Sequence, residues 1–377
     1  MNRDLLRRVA FAVAAPVLAL AFSLAVSSFV LSLSGDSAID AYRLMWEFGT
    51  TLESIVVMLN RATPLYIAGI AVAIGFKMNL FNIGVEGQYR IAALIAAWAG
   101  AELALPGVIN IAFVIIVAMA VGAAWAGGIA LLKVTRGVHE VVSSIMLNYI
   151  SYALISYLLL NYLQLDDESQ RIHTRRLDAD SRFPTLNSVV ELFTRDIRSG
   201  FDLNGMLAVA VVVGVLFYVL VFRTRFGYDL RASGANPWAA RTSGVDPKRM
   251  VIATMLLSGG VAGLIGMPEI LGSVHWFSDD LVTNLGFTGI GIALLGRNHP
   301  VGIAAAALLF GFLDRSSQIL DLEGIPPQIV VIMQGVIIIS VVVAYEVVAR
   351  VRRAYEARET ARVDPEAVAP ARAGAAT

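Results

Sequence analysis

FNIGVEGQYR, residues 81–90, sets an Asn, a Glu, a Gln, an Arg and two glycines between strongly apolar stretches of chain. The surroundings decide how it is read. Hydrophobic residues make up 57% of the 377 and charged residues 15%, against the roughly 25% charged of a soluble domain, and mean hydropathy is +0.72. Such a composition belongs to a polytopic membrane protein. A formal net charge of +0 leaves no basic excess for a nucleic-acid polymer, and the absence of Cys excludes disulfides, thiolate metal sites and Cys nucleophiles.

Apolar runs of roughly 15 to 25 residues read as membrane helices. About ten occur, at 9–33, 53–76, 82–103, 107–132, 141–163, 205–222, 250–271, 282–296, 300–320 and 327–348. The expected fold is an all-α transmembrane helical bundle over 1–349. The first run is longer than the ~7–15 residues of a signal core and is read as an uncleaved helix. Lys77, Lys133, Lys248, the arginines at 223, 225, 231, 241 and 249, Arg297 and the Arg-rich tail all fall on one side, so both termini are expected in the cytoplasm. The external loop 164–205 runs against that rule with six Arg, although eight Asp and Glu accompany them. Within it Leu186, Val189, Val190, Phe193 and Ile197 have the spacing of an amphipathic helix, for packing or for docking an external partner. The tail, 350–377, is rich in Ala, Arg, Glu and Pro and reads as a helix extension fading into disorder.

The polar residues of the opening stretch have a pattern. If the stretch is helical, Asn79, Asn82, Glu86 and Arg90 step by three, four and four residues and share one stripe, while Gly84 and Gly87 lie opposite and allow close helix packing. Either Glu86 and Arg90 neutralise each other, or the stripe lines a wet cavity. Glu140, Ser144, Asn148 and Ser151 form a second stripe on another span. Together the two suggest a translocation path with Asn79, Asn82, Glu86, Ser144 and Asn148 as candidates. A third irregular segment, NLGFTGIGIALLG at 284–296, is glycine-interrupted as FNIGVEG is, and paired segments of this kind point to an internal five-helix pseudo-repeat.

Between the sixth and seventh spans runs a cytoplasmic loop, 223–250. Asn236 is a good N-cap, Pro237 fits the first helical position, 238–243 can make a turn and a half, Gly244 can end it, and Asp246–Pro247 repeats the signal for the next span. No phosphate-binding G-x-x-x-x-G-K-[ST] loop occurs, so the chain does not hydrolyse ATP by that route. His139-Glu140 begins a zinc-protease pattern without its second His, and the four His are scattered.

GFKMNLFNIGVEGQ, GVHEVVSSIMLNYI and GYDLRASGANPWAARTSGV, in that order, resemble the permease subunits of bacterial ABC importers of the ribose, branched-chain amino acid and nucleoside group, over about residues 50–348. The second segment is most similar to nucleoside-type permeases. The resemblance implies an inner-membrane importer with a second permease subunit, identical or different, cytoplasmic ATPases that bind ATP and Mg, and an extracytoplasmic solute-binding protein. This chain itself would carry no cofactor and would work among membrane lipid on a small polar solute. The coupling element falls on Arg231, Ala232, Gly234, Asn236, Pro237, Ala239, Ala240 and Gly244. His139 stands where relatives commonly have Asn, leaving pH sensitivity or a different helix start open. The alternative function is a stand-alone ion-coupled carrier with Glu86 as proton-coupling carboxylate; a membrane scaffold is a weaker third.

Overall fold

The computed structural model describes residues 3–363 apart from Ser34, Asp36, 166–170, 192–200, Val282 and Pro327. Its helices are α1 (Arg3–Leu33), α2 (Ala38–Gly49), α3 (Leu52–Phe76), α4 (Val85–Leu103), α5 (Gly107–Arg136), α6 (Glu140–Leu158, prolonged by a π turn to Leu163), α7 (Asn187–Val190), α8 (Met206–Arg223), α9 (Arg225–Ala235), α10 (Pro237–Thr242), α11 (Pro247–Gly263), α12 (Met267–Gly272), α13 (Leu285–Leu295), α14 (Pro300–Leu322) and α15 (Gln328–Val363). Among the described residues there is no strand, only isolated bridges such as His173 with Ser278.

Each of the ten expected runs is helical over most of its length. By length and composition the described residues hold seven helices able to cross a membrane, or up to eight if 20–33 and 38–49 count as one span. The difference has local causes: α4 carries Glu86, Arg90 and Glu102, and α13 has only 11 residues. α2 was not expected, because Asp40, Arg43 and Glu47 interrupt its apolar face.

Capping sets the boundaries. Thr51 accepts the Ser54 N–H to start α3. Gly137, at φ +68°, ends α5 in the left-handed conformation that lets the last carbonyls be satisfied. His139 caps α6, its Nδ1 accepting the Val141 N–H at 3.3 Å, so histidine performs here the acceptor role an Asn cap would.

The chain divides into two compact units, one of the segments Met1–Tyr42 and Gly324–Thr377, the other Arg43–Glu323. In the first, α1 packs along α15. In the second, α3 packs on α13 and α14 while α11 packs on α4 and α5, so each half of the unit lends its long helix to the other. The α11–α5 crossing brings backbone against backbone: a Cβ on Gly263 would lie 2.0 Å from the Ala118 carbonyl oxygen, and one on Gly122 would lie 2.3 Å from that of Gly259. Small residues at such a crossing let backbones pack directly where lipid supplies no hydrophobic drive.

Outside the helices, the described part of the 164–205 loop is pinned to the segment after α12. Thr174 N donates to the Phe277 carbonyl and Leu177 N to that of His275, each at 2.9 Å, and Arg176 stacks on Trp276 at 3.9 Å. Of the expected amphipathic helix, α7 is helical and Leu186 packs with Val56 and Leu203; Phe193 and Ile197 lie outside the described residues.

Candidate functional site

The linker between α3 and α4 is not helical. α3 stops at Phe76, the chain turns through Lys77–Gly84 with Asn79 at φ +57°, and α4 starts at Val85. Asn79 and Asn82 therefore precede the helix, and the expected four-residue stripe reduces to Glu86 and Arg90. These two do not pair with each other. Arg90 binds the Asp279 carboxylate at 2.8 Å and lies 5.3 Å from the Tyr152 ring.

Glu86 has 0% of its surface exposed. One carboxylate oxygen accepts the Asn284 N–H at 2.9 Å and the Tyr89 hydroxyl at 3.1 Å; the other accepts the Gly286 N–H at 2.8 Å. Glu86 sits in the first turn of α4, and those two N–H groups open α13. A single carboxylate therefore lies against the positive ends of two helices that approach it from opposite halves of the unit. Gly286 makes the approach possible, since a Cβ there would meet the Glu86 backbone nitrogen at 2.5 Å. Backbone N–H groups cannot accept, so this cradle suits an acceptor-only carboxylate.

Asn82 completes the turn before α4. Its amide exchanges hydrogen bonds with Gln88 at 2.9 and 3.0 Å and donates to Ser258 Oγ at 2.9 Å, which in turn donates to the Ala71 carbonyl at 2.7 Å. From α6, Asn148 donates to the Ile83 carbonyl at 3.0 Å and accepts the Gly87 N–H at 2.9 Å. Glu140 takes the Lys133 ammonium and faces the Phe81 N–H. The second polar stripe thus meets the first, and most of its groups satisfy backbone that would otherwise be bare in lipid. Ser144 is buried and its hydroxyl has no partner among the described residues. Gly87 lies directly against α6, with Ser151 Oγ 2.5 Å from where a Cβ would be, and Gly84 against Gln88 and Ile129.

The caps of the 223–250 loop form as its punctuation predicts. Asn236 Oδ1 accepts the N–H groups of Trp238 and Ala239 at 3.0 and 3.1 Å, Pro237 begins α10, and Gly244 at φ +85° follows its end. Asp246 accepts the Lys248 N–H at 2.9 Å to start α11. Arg231 donates to the Val221 carbonyl at 2.6 Å, tying α9 to α8. Ala239 faces solvent, as do Asn236 and Pro237, whereas Ala240 is buried and Ala232 and Gly234 are half-buried. A Cβ on Gly234 would lie 2.6 Å from the Met78 backbone, and Asn79 Nδ2 donates to the Gly234 carbonyl at 3.2 Å. The loop is thus bonded to the same linker that carries Asn82. What it presents outward is Trp238, 77% exposed, with Arg241 5.9 Å from its ring.

Residues 54–342 match the family described as branched-chain amino acid transport system / permease component. The chain belongs to that family. Among the relatives it is similar to, the guanosine ABC transporter permease protein NupP of Bacillus subtilis is 32% identical over 88% of this chain and 93% of that protein. The glucose ABC transporter permease protein TsgB13 of Haloferax volcanii is 34% identical over 87% of this chain and 86% of that protein. The nucleoside ABC transporter permease protein NupB of Lactococcus lactis is 28% identical over 88% and 90%. No solved structure matches the chain. The protein is a multi-pass membrane permease of an ABC importer, a subunit distinct from the ATPase that drives such systems.

Four partners in this permease's site escape a reading of local spacing: Asn284, Gly286, Ser258 and Asp279. One signal could have found the first two. NIGVEG at 82–87 and NLGFTG at 284–289 share Asn and both Gly in register, and a helix opens within each, α4 at Val85 and α13 at Leu285.

Proposed function

We propose that this permease carries nucleosides or closely related polyhydroxylated solutes. It would pair with a second permease subunit, receive solute from an extracytoplasmic binding protein, and be driven by cytoplasmic ATPases holding ATP and Mg. The observation that carries the reading is near-full-length similarity to permeases named for guanosine and nucleosides. The paired helix starts held by Glu86, with Asn82 and Asn148 locking the turn before α4, support this reading as a rigid polar element between two interrupted helices. These residues then position the path's wall, and Ser144, its hydroxyl unpaired among the described residues, is the member of the set free to reach another group.

Drive from the ATPase enters at α10. Trp238 and Arg241 offer the exposed aromatic and cationic contacts of a docking helix, while Arg231, Ala232, Gly234, Asn236, Pro237, Ala239, Ala240 and Gly244 shape and seat it. Movement there reaches the α4 start through Gly234, Met78 and Asn79. Glutamate exposure to a proton relay is not needed in this scheme.

The test is a panel of nucleosides, pentoses, glucose and branched-chain amino acids, read as thermal stabilisation of the cognate binding protein and as ATP-dependent uptake by the reconstituted transporter. Stabilisation and uptake with nucleosides are expected. Response to glucose alone, as the name of the Haloferax volcanii relative invites, would move the substrate to sugars.

A further inference from the structure

A second feature of the Arg43–Glu323 unit lies away from the polar belt. α3, α8 and α14 enclose a groove of about 660 Å³. Its walls are almost wholly carbon, with Leu59, Val211, Val215, Ala304 and Leu308 among them, and Tyr218 and His299 also line it. From its Tyr218 and His299 end it runs along α14 from Pro300, the first residue of that helix, to Leu308, which at 1.5 Å per residue is about 12 Å. That is within the depth of one leaflet, half of a hydrocarbon core about 30 Å thick.

The groove's polar end is marked by aromatic rings and cations. Tyr218 and His299 are in ring contact with Phe222, one turn further along α8. Around them stand three positive side chains: Lys77 5.0 Å and Arg231 5.4 Å from the Phe222 ring, and Arg223 5.7 Å from that of Tyr218. Among the described residues none of the three is paired with a carboxylate. Lys77, just past the end of α3, is held below the usual lysine range first by burial and then by the nearby Arg231 charge. By the positive-inside rule this end faces the cytoplasm.

We infer that this groove binds an anionic phospholipid of the inner leaflet, with an acyl chain along α3, α8 and α14 and the headgroup phosphate against Lys77, Arg223 and Arg231. An apolar trough within the depth of one leaflet fits the chain, interfacial aromatics fit the glycerol level, and clustered cations between helices fit the phosphate. A zwitterionic lipid would bring its own ammonium along with the phosphate and leave the three cations without a net counter-charge.

The assembled transporter in nanodiscs of phosphatidylcholine, titrated with phosphatidylglycerol, tests this by native mass spectrometry of retained lipid. Wild type is expected to retain phosphatidylglycerol in preference, and the double variant Lys77→Gln/Arg223→Gln to lose about 30-fold of that preference. Ala304→Trp, which fills the trough, should displace the lipid while leaving both cations in place. Equal retention of the two lipids by wild type, or unchanged retention in both variants, would overturn the assignment. A label on Val301→Cys, in a chain with no other cysteine, should be quenched by nitroxide-bearing acyl chains. Cross-linking of that cysteine to the second permease subunit, without quenching, would put protein in the groove and overturn it too.

Discussion

Replacing Glu86 probes whether the two helix starts are held together by its carboxylate. Its oxygens accept two backbone N–H groups, at 2.9 and 2.8 Å, from a segment about 200 residues away in the chain. A hydrogen bond to a charged group contributes about 1.5–3 kcal/mol, so Glu86→Ala, which strands both donors in a buried place, should cost about 3–6 kcal/mol. Glu86→Gln keeps the shape and one acceptor but turns an amide NH₂ toward the other N–H, for a loss of roughly half that. Ordinary side-chain hydrogen bonds between membrane helices average only about 0.6 kcal/mol, so the predicted cost lies well outside that class. SDS titration of the reconstituted permease would measure the difference, alongside ATP-driven uptake, with Asn148→Ala as a comparator. The graded order Ala worse than Gln, Gln worse than wild type, is the expected result. An Ala variant that unfolds with wild type and transports normally would refute the clamp. Normal transport by the Gln variant also bears on proton coupling, because an amide cannot carry the proton.

Trp238→Ala leaves the fold alone, since the side chain is exposed, but removes an aromatic anchor of the kind that contributes 2 kcal/mol or more to docking, roughly 30-fold in affinity; co-purification with the ATPase and stimulated ATP hydrolysis should both fall, and undiminished values would place the docking elsewhere. Ala240→Glu is a poorer probe because Ala240 is buried within the permease. Gly263→Val drives carbon into the Ala118 carbonyl and should destabilise by about 3 kcal/mol, the upper end for overpacking, read as a lowered unfolding midpoint. Burial first, then Arg182, holds His275 below the ordinary imidazole range. The unfolded chain therefore binds the proton more readily, and stability present at neutral pH is lost as pH falls below about 6.5 toward the native value; His275→Gln should flatten that slope in an unfolding series from pH 7.5 to 5.

Much of this fold is local and was legible. Apolar runs long enough to span, and the caps at Asn236, Asp246 and Gly244, act within a few residues of where they are written. α2 escaped because its charges break the apolar signal, and the linker 77–84 because spacing of polar residues cannot say where a helix begins. The partners of Glu86 and Arg90 are set by tertiary packing. A carboxylate capping a distant helix leaves no mark near its own position, so local pairing with Arg90 was the only partner the spacing offered. Gly234 and Ala240 fall on two successive helices, α9 and α10, and that Gly234 packs on Met78 is set by tertiary contact rather than by local spacing.

The Glu86 cradle also has a charge ledger. Each helix start presents about half a positive charge, so two of them facing one carboxylate sum to near neutrality, which is the condition lipid tolerates. The register of NIGVEG with NLGFTG puts Thr288 at the place of Glu86. Were both positions acidic, the docked pair would hold a surplus negative charge with no helix end left to answer it. The two helix starts close on a single acid, Glu86, and the residue in register with it on α13, Thr288, adds no charge to the cradle.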